Sequence, residues 1–229
     1  MQITWLGHAG FRLEIGGKVL LIDPWVEGNP MFPKDARAAA LSGATHILLT
    51  HGHFDHAAGV AEIAKETNAP VLAMVELAGL MEYHGIETVG FNYGGTVMAG
   101  DVAVTMVRAA HSSSMTINDK LVYAGNPAGF MITHAGRTIY ISGDTDIMAD
   151  MEWMGDLHKP EVGILCAGGH FTMDMARAGY AAKRYFNFKT VIPCHYKTFP
   201  LLEQSADTLV AALPGVDVLT PGVMEAITL

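Results

Sequence analysis

Charge is scarce in this chain: 16% of its 229 residues are Asp, Glu, Lys or Arg, while half are hydrophobic. So apolar a composition excludes an intrinsically disordered segment, and the length suffices for one large packed domain. Cysteine is nearly absent. Cys166 and Cys194 are too few for a disulfide framework, and each reads as a small buried apolar group. No hydrophobic run approaches the roughly 18 residues that cross a bilayer, so no membrane association is expected. The opening MQITWLGHAGF lacks the basic segment and apolar core of an export signal, and a cytoplasmic location is the expectation. Basic residues are the scarcer sign, 14 against 23 acidic, for a net charge of −9. A nucleic-acid partner would require the opposite excess, so none is expected.

Linkers, charge blocks and short repeats are also missing, which leaves one domain over residues 1–229. Its first 22 residues alternate apolar and polar positions (Ile3 and Trp5; Phe11, Leu13 and Ile15; Val19 and Leu21). Turns at Gly7–Gly10 and Gly16–Gly17 make this an antiparallel meander. A strand is expected at 45–49, a helix over 57–67 with Val60, Ile63, Ala64 and Thr67 inward, and a second helix from Val75 to His84. Further strands are expected near 96–99, 102–109, 121–124, 128–134 and 137–142, with turns at Asn126-Pro127 and Ala135-Gly136. The last third alternates strand 161–165, a helix from an Asp174 N-cap to about Phe186, strand 190–193, a short helix over about 201–212 and a strand near 216–220. Periodicity thus supports a mixed α/β domain, and strand-rich halves with helices between them suggest two packed sheets covered by helices.

Against that frame, residues 50–56 read THGHFDH. His51, His53, Asp55 and His56 stand on a turn between a buried strand and a helix, where side chains can converge on one or two cations. The simpler alternative is a polar loop in which Asp55 or His56 caps the helix that follows. Other expected strands also end in an imidazole or carboxylate: His8 after 3–6, His111 after 102–109, Asp144 after 137–142, His170 after 161–165, and His195 after 190–193. If these ends share one edge of the sandwich, the polar groups meet in one cleft. Ser112–Ser114 read as turn and cap residues, since no Gly-x-Ser-x-Gly elbow surrounds them.

Here the sequence resembles the metallo-β-lactamase superfamily, and more closely a metal-dependent hydrolase family related to the ascorbate-phosphate lactonases. The matching stretches beyond THGHFDH are TWLGHAGF (4–11), IDPWVEGNP (22–30), GGHFTMD (168–174) and VIPCHYKTFP (191–200). The resemblance implies an αββα four-layer sandwich of two mixed sheets flanked by helices. It also implies two divalent ions, one held by His51, His53 and His111, the other by Asp55, His56 and His195, with Asp144 bridging. A purely nitrogen and oxygen set suits Zn²⁺ or Mn²⁺, with Fe²⁺ a third option. Between two such ions a water becomes a nucleophile at neutral pH, and Asp55 is the expected catalytic group that orients it or shuttles its proton. His8 and His170 are expected to touch substrate or steady a ligand, or else to fix Gly-rich turns. Asp23 either accepts from a ligand histidine or organises its loop, and Tyr196 and Lys197 could reach substrate.

The implied function is hydrolysis of an ester-type bond in a small-molecule substrate, a lactone or phosphorylated lactone first and a small phosphodiester second. A redox di-iron relative would carry Glu where His53 stands, and a nuclease relative an added gripping domain. A non-catalytic metal-binding protein is the remaining alternative, set against every ligand position being filled. Homo-oligomerisation stays open.

Overall fold

The computed structural model describes all of residues 1–229. Its first half comprises β1 (Gln2–Gly7), β2 (Gly10–Ile15), β3 (Lys18–Ile22), α1 (Arg37–Leu41), β4 (His46–Leu48), α2 (Phe54–Ala57), α3 (Val60–Thr67), β5 (Val71–Met74), α4 (Val75–Glu82) and β6 (Thr88–Phe91). There follow β7 (Thr96–Ala99), β8 (Val102–Arg108), β9 (Ser114–Ile117), β10 (Lys120–Tyr123), β11 (Ala128–His134), β12 (Arg137–Ile141) and α5 (Met151–His158). The chain closes with β13 (Val162–Cys166), α6 (Met175–Tyr185), β14 (Thr190–Cys194), α7 (Asp207–Ala212), β15 (Asp217–Val218) and β16 (Ala226–Thr228).

Two seven-stranded mixed sheets result, ordered β16-β1-β2-β3-β4-β5-β6 and β15-β14-β13-β12-β11-β8-β7, with β9 and β10 forming a separate two-stranded hairpin. Helices cover them: α4 lies on β5 and β6, and α6 on β13. This is the αββα arrangement. One continuous core runs through both sheets, with Phe11, Leu13 and Leu48 from the first and Val104, Phe130 and Ile164 from the second all essentially inaccessible. Each such side chain contributes about 1.5–3 kcal/mol by leaving water. Strands β5, β13 and β14 are buried at every position, as parallel strands covered on both faces must be.

Strand direction is what positions the site. In the first sheet β1 and β3 both run antiparallel to β2, and β4 runs parallel to β3. In the second, β8 and β12 both run antiparallel to β11, and β13 and β14 run parallel to β12. In each sheet the strands that lead to the clustered residues, β1, β3 and β4 in the first and β8, β12 and β14 in the second, therefore end on the same edge.

Several elements depart from the sequence expectation. The helix expected from Val75 is present as α4 and ends at Glu82, but β5, which runs directly into it, was not expected, because a four-residue apolar run gives too little periodicity to tell strand from helix. Helix α5 carries Gly155, a poor helix former, yet a β-carbon there would collide with the carbonyl of Tyr185. The helix expected over 57–67 is split by Gly59 at φ +77° into α2 and α3. The last helix begins at Asp207, so 201–206 form a loop over the site. No helix is long and apolar enough to cross a membrane.

Candidate metal centre

The tight turns at the strand ends depend on close backbone approach. After β12 the chain turns at Gly143, φ +58°, where a β-carbon would strike the carbonyl of Ala128 and press on Thr50. At Gly168 it would strike the carbonyl of His195. Glycine at these two positions lets the loops bearing Asp144 and His195 pack against their neighbours, and it delivers both side chains inward. A hydrogen bond from Ala110 N to Thr145 Oγ1, 2.9 Å, ties the loop of His111 to that of Asp144.

Eight of the sequence-derived residues meet in one cluster, in two poles. His51, His53 and His111 form the first; Asp55, His56 and His195, with His8 behind them, form the second. Asp144 stands between. Its Oδ2 lies 3.1 Å from Nε2 of His195 and 3.4 Å from that of His56, and 3.7 and 3.9 Å from those of His111 and His51. His51 Nε2 and His53 Nδ1 approach to 3.0 Å, a spacing natural for two nitrogens turned toward a shared partner.

The residues around the poles fix which nitrogen each imidazole presents. Asp23, on a backbone at φ +44°, accepts from Thr50 N at 2.8 Å and Thr50 Oγ1 at 2.6 Å, and lies 2.7 Å from Nδ1 of His56. Since the Thr50 hydroxyl donates to Asp23, it accepts from Nδ1–H of His51 at 3.0 Å. One carboxylate thus orients two histidines through their Nδ1 side, and both turn Nε2 to the centre.

Behind the second pole, His8 is fully buried at φ +53°. Its Nε2 lies 2.9 Å from Asp55 Oδ2 and its Nδ1 2.8 Å from Thr198 Oγ1. Burial brings its pKa down to about 4, although Asp55 opposes the shift. It is therefore neutral near pH 7, with Nε2–H donating to Asp55 and the Thr198 hydroxyl donating to Nδ1. Asp55 is itself pulled below the ordinary carboxylate range: burial pushes it up, but the facing His195 and His8 outweigh that. Burial opposes protonation of His195 too, yet Asp144 and Asp55 carry its pKa to about 9. His56 is raised against burial by Asp144 and Asp23.

Charge pairing alone leaves this centre incomplete. Nε2 of His56, both ring nitrogens of His195 and Oδ1 of Asp144 are buried without a hydrogen-bond partner, a state that ordinarily costs 1–3 kcal/mol per group. A cluster of such atoms, all nitrogen or oxygen, fits divalent cations, which would satisfy the lone pairs that the protein leaves open.

His170 and Tyr196 are not brought into the cluster. A tight turn over Gly169–Met173 puts His170 at its outward tip, exposed and with its ring against Phe171 at 4.5 Å. Tyr196 is buried away from the cleft, stacked on Trp5 at 5.5 Å, and Lys197 Nζ sits over its ring. Sequence reasoning missed Thr50 and Thr198. For Thr50 the available signal was its place next to His51; Thr198 reaches His8 from 190 residues away, and no local pattern announces that. Ser113 has the structural role expected of its run, accepting from Gly52 N and donating to Ala124 O.

A two-sheet sandwich with a histidine–aspartate centre on one edge defines the metallo-β-lactamase class of hydrolase. The family model described as the beta-lactamase superfamily domain matches residues 18–196. A UPF0173 metal-dependent hydrolase of Dinoroseobacter shibae is 63% identical over the whole of both chains, and one of Paracoccus denitrificans 61%. Among solved structures, the metallo hydrolase Igni18 of the archaeon Ignicoccus hospitalis superposes with a TM-score of 0.87 at 29% identity, covering 99% of this chain and 97% of its own. The chain belongs to the beta-lactamase superfamily and is a metal-dependent hydrolase.

Proposed function

We propose that the chain hydrolyses an ester-type bond of a small molecule with two divalent ions. His51, His53 and His111 hold one and Asp55, His56 and His195 the other, with Asp144 shared. The observation that carries this reading is the position of Asp144 Oδ2, within 3.9 Å of Nε2 atoms belonging to both poles. Bound ions supply Lewis acidity, lowering the pKa of water toward neutrality and polarising the substrate carbonyl.

The protein's own groups do the positioning. His8 engages Asp55 Oδ2 and leaves the other carboxylate oxygen to accept a hydrogen bond from the attacking water. Held anionic by its neighbours, Asp55 is a weak base and a good orienting acceptor. Water oxygen adds to the acyl carbon, the bond to the leaving oxygen breaks, and a proton passes to that oxygen. A lactone is the first candidate by resemblance, with the phosphorylated lactone and small phosphodiester as alternatives. Zn²⁺ and Mn²⁺ are the first metals for a donor set without thiolate, and Fe²⁺ the third.

The test is elemental analysis of protein purified without added metal, then turnover of a panel of lactones and a bis-aryl phosphodiester after chelation and metal restoration. Two ions per chain and hydrolysis that disappears and returns with them are expected. Unchanged metal content and turnover in Asp144→Ala would remove the proposal.

A further inference from the structure

We infer that the substrate of this centre is an uncharged molecule carrying an apolar chain or ring next to the bond that is cut; the inference rests on the hydrolytic reading above. The centre opens into a cavity of about 690 Å³ reached by His53, Asp55, His111, Asp144 and His195. Four large apolar side chains at its mouth stand in water: Phe54 at 65% exposure, Leu121 at 77%, and Phe171 and Leu201 at 53% each. They come from four separate segments of chain: α2, the β9–β10 hairpin, the turn after β13 and the loop after β14. Solvated apolar groups of this kind forgo the gain of leaving water. Their convergence on one opening is what a ligand-binding mouth requires. Phe199 continues the apolar wall inward, its ring 5.9 Å from that of His8.

Charge points the same way. No Lys or Arg lines the cavity, and its carboxylates are Asp55 and Asp144. Of the cations on neighbouring segments, Arg177 donates to Asp146 at 2.7 Å and Lys197 covers the Tyr196 ring, while Lys120 is exposed on the hairpin and outside the cavity lining. Phosphate and carboxylate recognition relies on guanidinium or ammonium donors, and this wall offers neither. A phosphorylated lactone would present its phosphate, remote from the bond that is cut, to a wall without cations, in a chain of net charge −9. A neutral alkyl or aryl ester matches the apolar part of the wall formed by Phe54, Met115, Leu121, Phe171, Phe199 and Leu201.

Two measurements on the metal-restored protein test this. The first is kcat/KM for p-nitrophenyl acetate, butyrate, hexanoate and octanoate, beside the anionic mono-p-nitrophenyl succinate. The expected result is a rise of about fourfold per added methylene until the cavity fills, with the succinate at least tenfold below the butyrate. The second is calorimetric binding of uncleaved anilides, N-phenylhexanamide against N-phenylsuccinamic acid, with the neutral compound at least tenfold tighter. Phe54→Ala and Leu121→Ala should raise KM with kcat and metal content unchanged, and Leu201→Lys should shift preference toward the succinyl ester. A flat chain-length series or tighter binding of the anionic anilide overturns the inference, even if esters are hydrolysed. Neutral-anilide preference with no ester turnover supports it and places the failure on the reaction.

Discussion

Asp23 and His56 face each other across 2.7 Å, carboxylate oxygen to Nδ1, both buried, and the same carboxylate holds Thr50. Replacing Asp23 by Asn puts an amide against Nδ1–H of His56 and weakens the grip on the Thr50 hydroxyl, so His51 loses its fixed orientation as well. Metal affinity should fall about 10- to 100-fold. Metal content after equilibration with graded chelator measures it. Affinity unchanged in Asp23→Asn would show that the ligand histidines orient themselves.

His8 acts on the centre through Asp55. Asn tolerates the left-handed backbone at position 8 better than Ala does, but it is too short to span from Thr198 to Asp55. His8→Asn should therefore keep the fold and most of the bound metal while lowering kcat about 10- to 100-fold, the range of supporting groups around metal sites. Thr198→Val, which removes only the hydroxyl at Nδ1 of His8, should produce a smaller loss in the same direction. Wild-type kcat in His8→Asn would sink the positioning role.

The two thiols should be chemically silent in the native protein. Burial, with Asp144 nearby, pushes Cys166 up to about 12, and Cys194 is raised by burial as well. Thiolate is the reacting form, so a disulfide reagent at pH 8 should titrate no thiol in folded protein and two after denaturation. Rapid reaction of the folded chain would contradict the burial of β13 and β14.

Glu161, at the start of β13, pairs with Arg137 and, at 2.9 Å, with Lys189. Hydrogen bonds from Lys189 and Arg137 hold its carboxyl below the ordinary value of 4.5. A depressed folded pKa contributes stability that is present above the unfolded value and lost as pH falls through the folded one. Glu161→Gln should thus lower Tm at pH 7 by no more than about 4 °C, the scale of an exposed pair in a chain of this length. The gap to wild type should shrink as pH drops below about 4. Thermal melts at pH 7 and pH 3 would expose the error if the gap widened in acid.

Much of the architecture was readable locally. Alternation in 1–22, the Asp174 cap, whose carboxylate accepts from Arg177 N at 2.7 Å, and the Ala135-Gly136 turn are short-range signals that the structure reproduces. What escaped was set by long-range packing. Gly155 belongs in a helix only because Tyr185 comes close to it, and β16 is a strand only because β1 offers it an edge.

The residue types and spacing of THGHFDH, with His111, Asp144 and His195 at strand ends, pointed by themselves to a histidine–aspartate centre, on condition that those ends share one edge. Those signals are chemical and local. Which strand-end groups belong to that centre was decided only by tertiary structure: a glycine turn carries His170 outward, stacking on Trp5 keeps Tyr196 in the core, and Thr50 and Thr198 enter through contacts that span the chain. Distance in space depends on strand order and backbone curvature, and neither is written in the spacing of side chains along the chain.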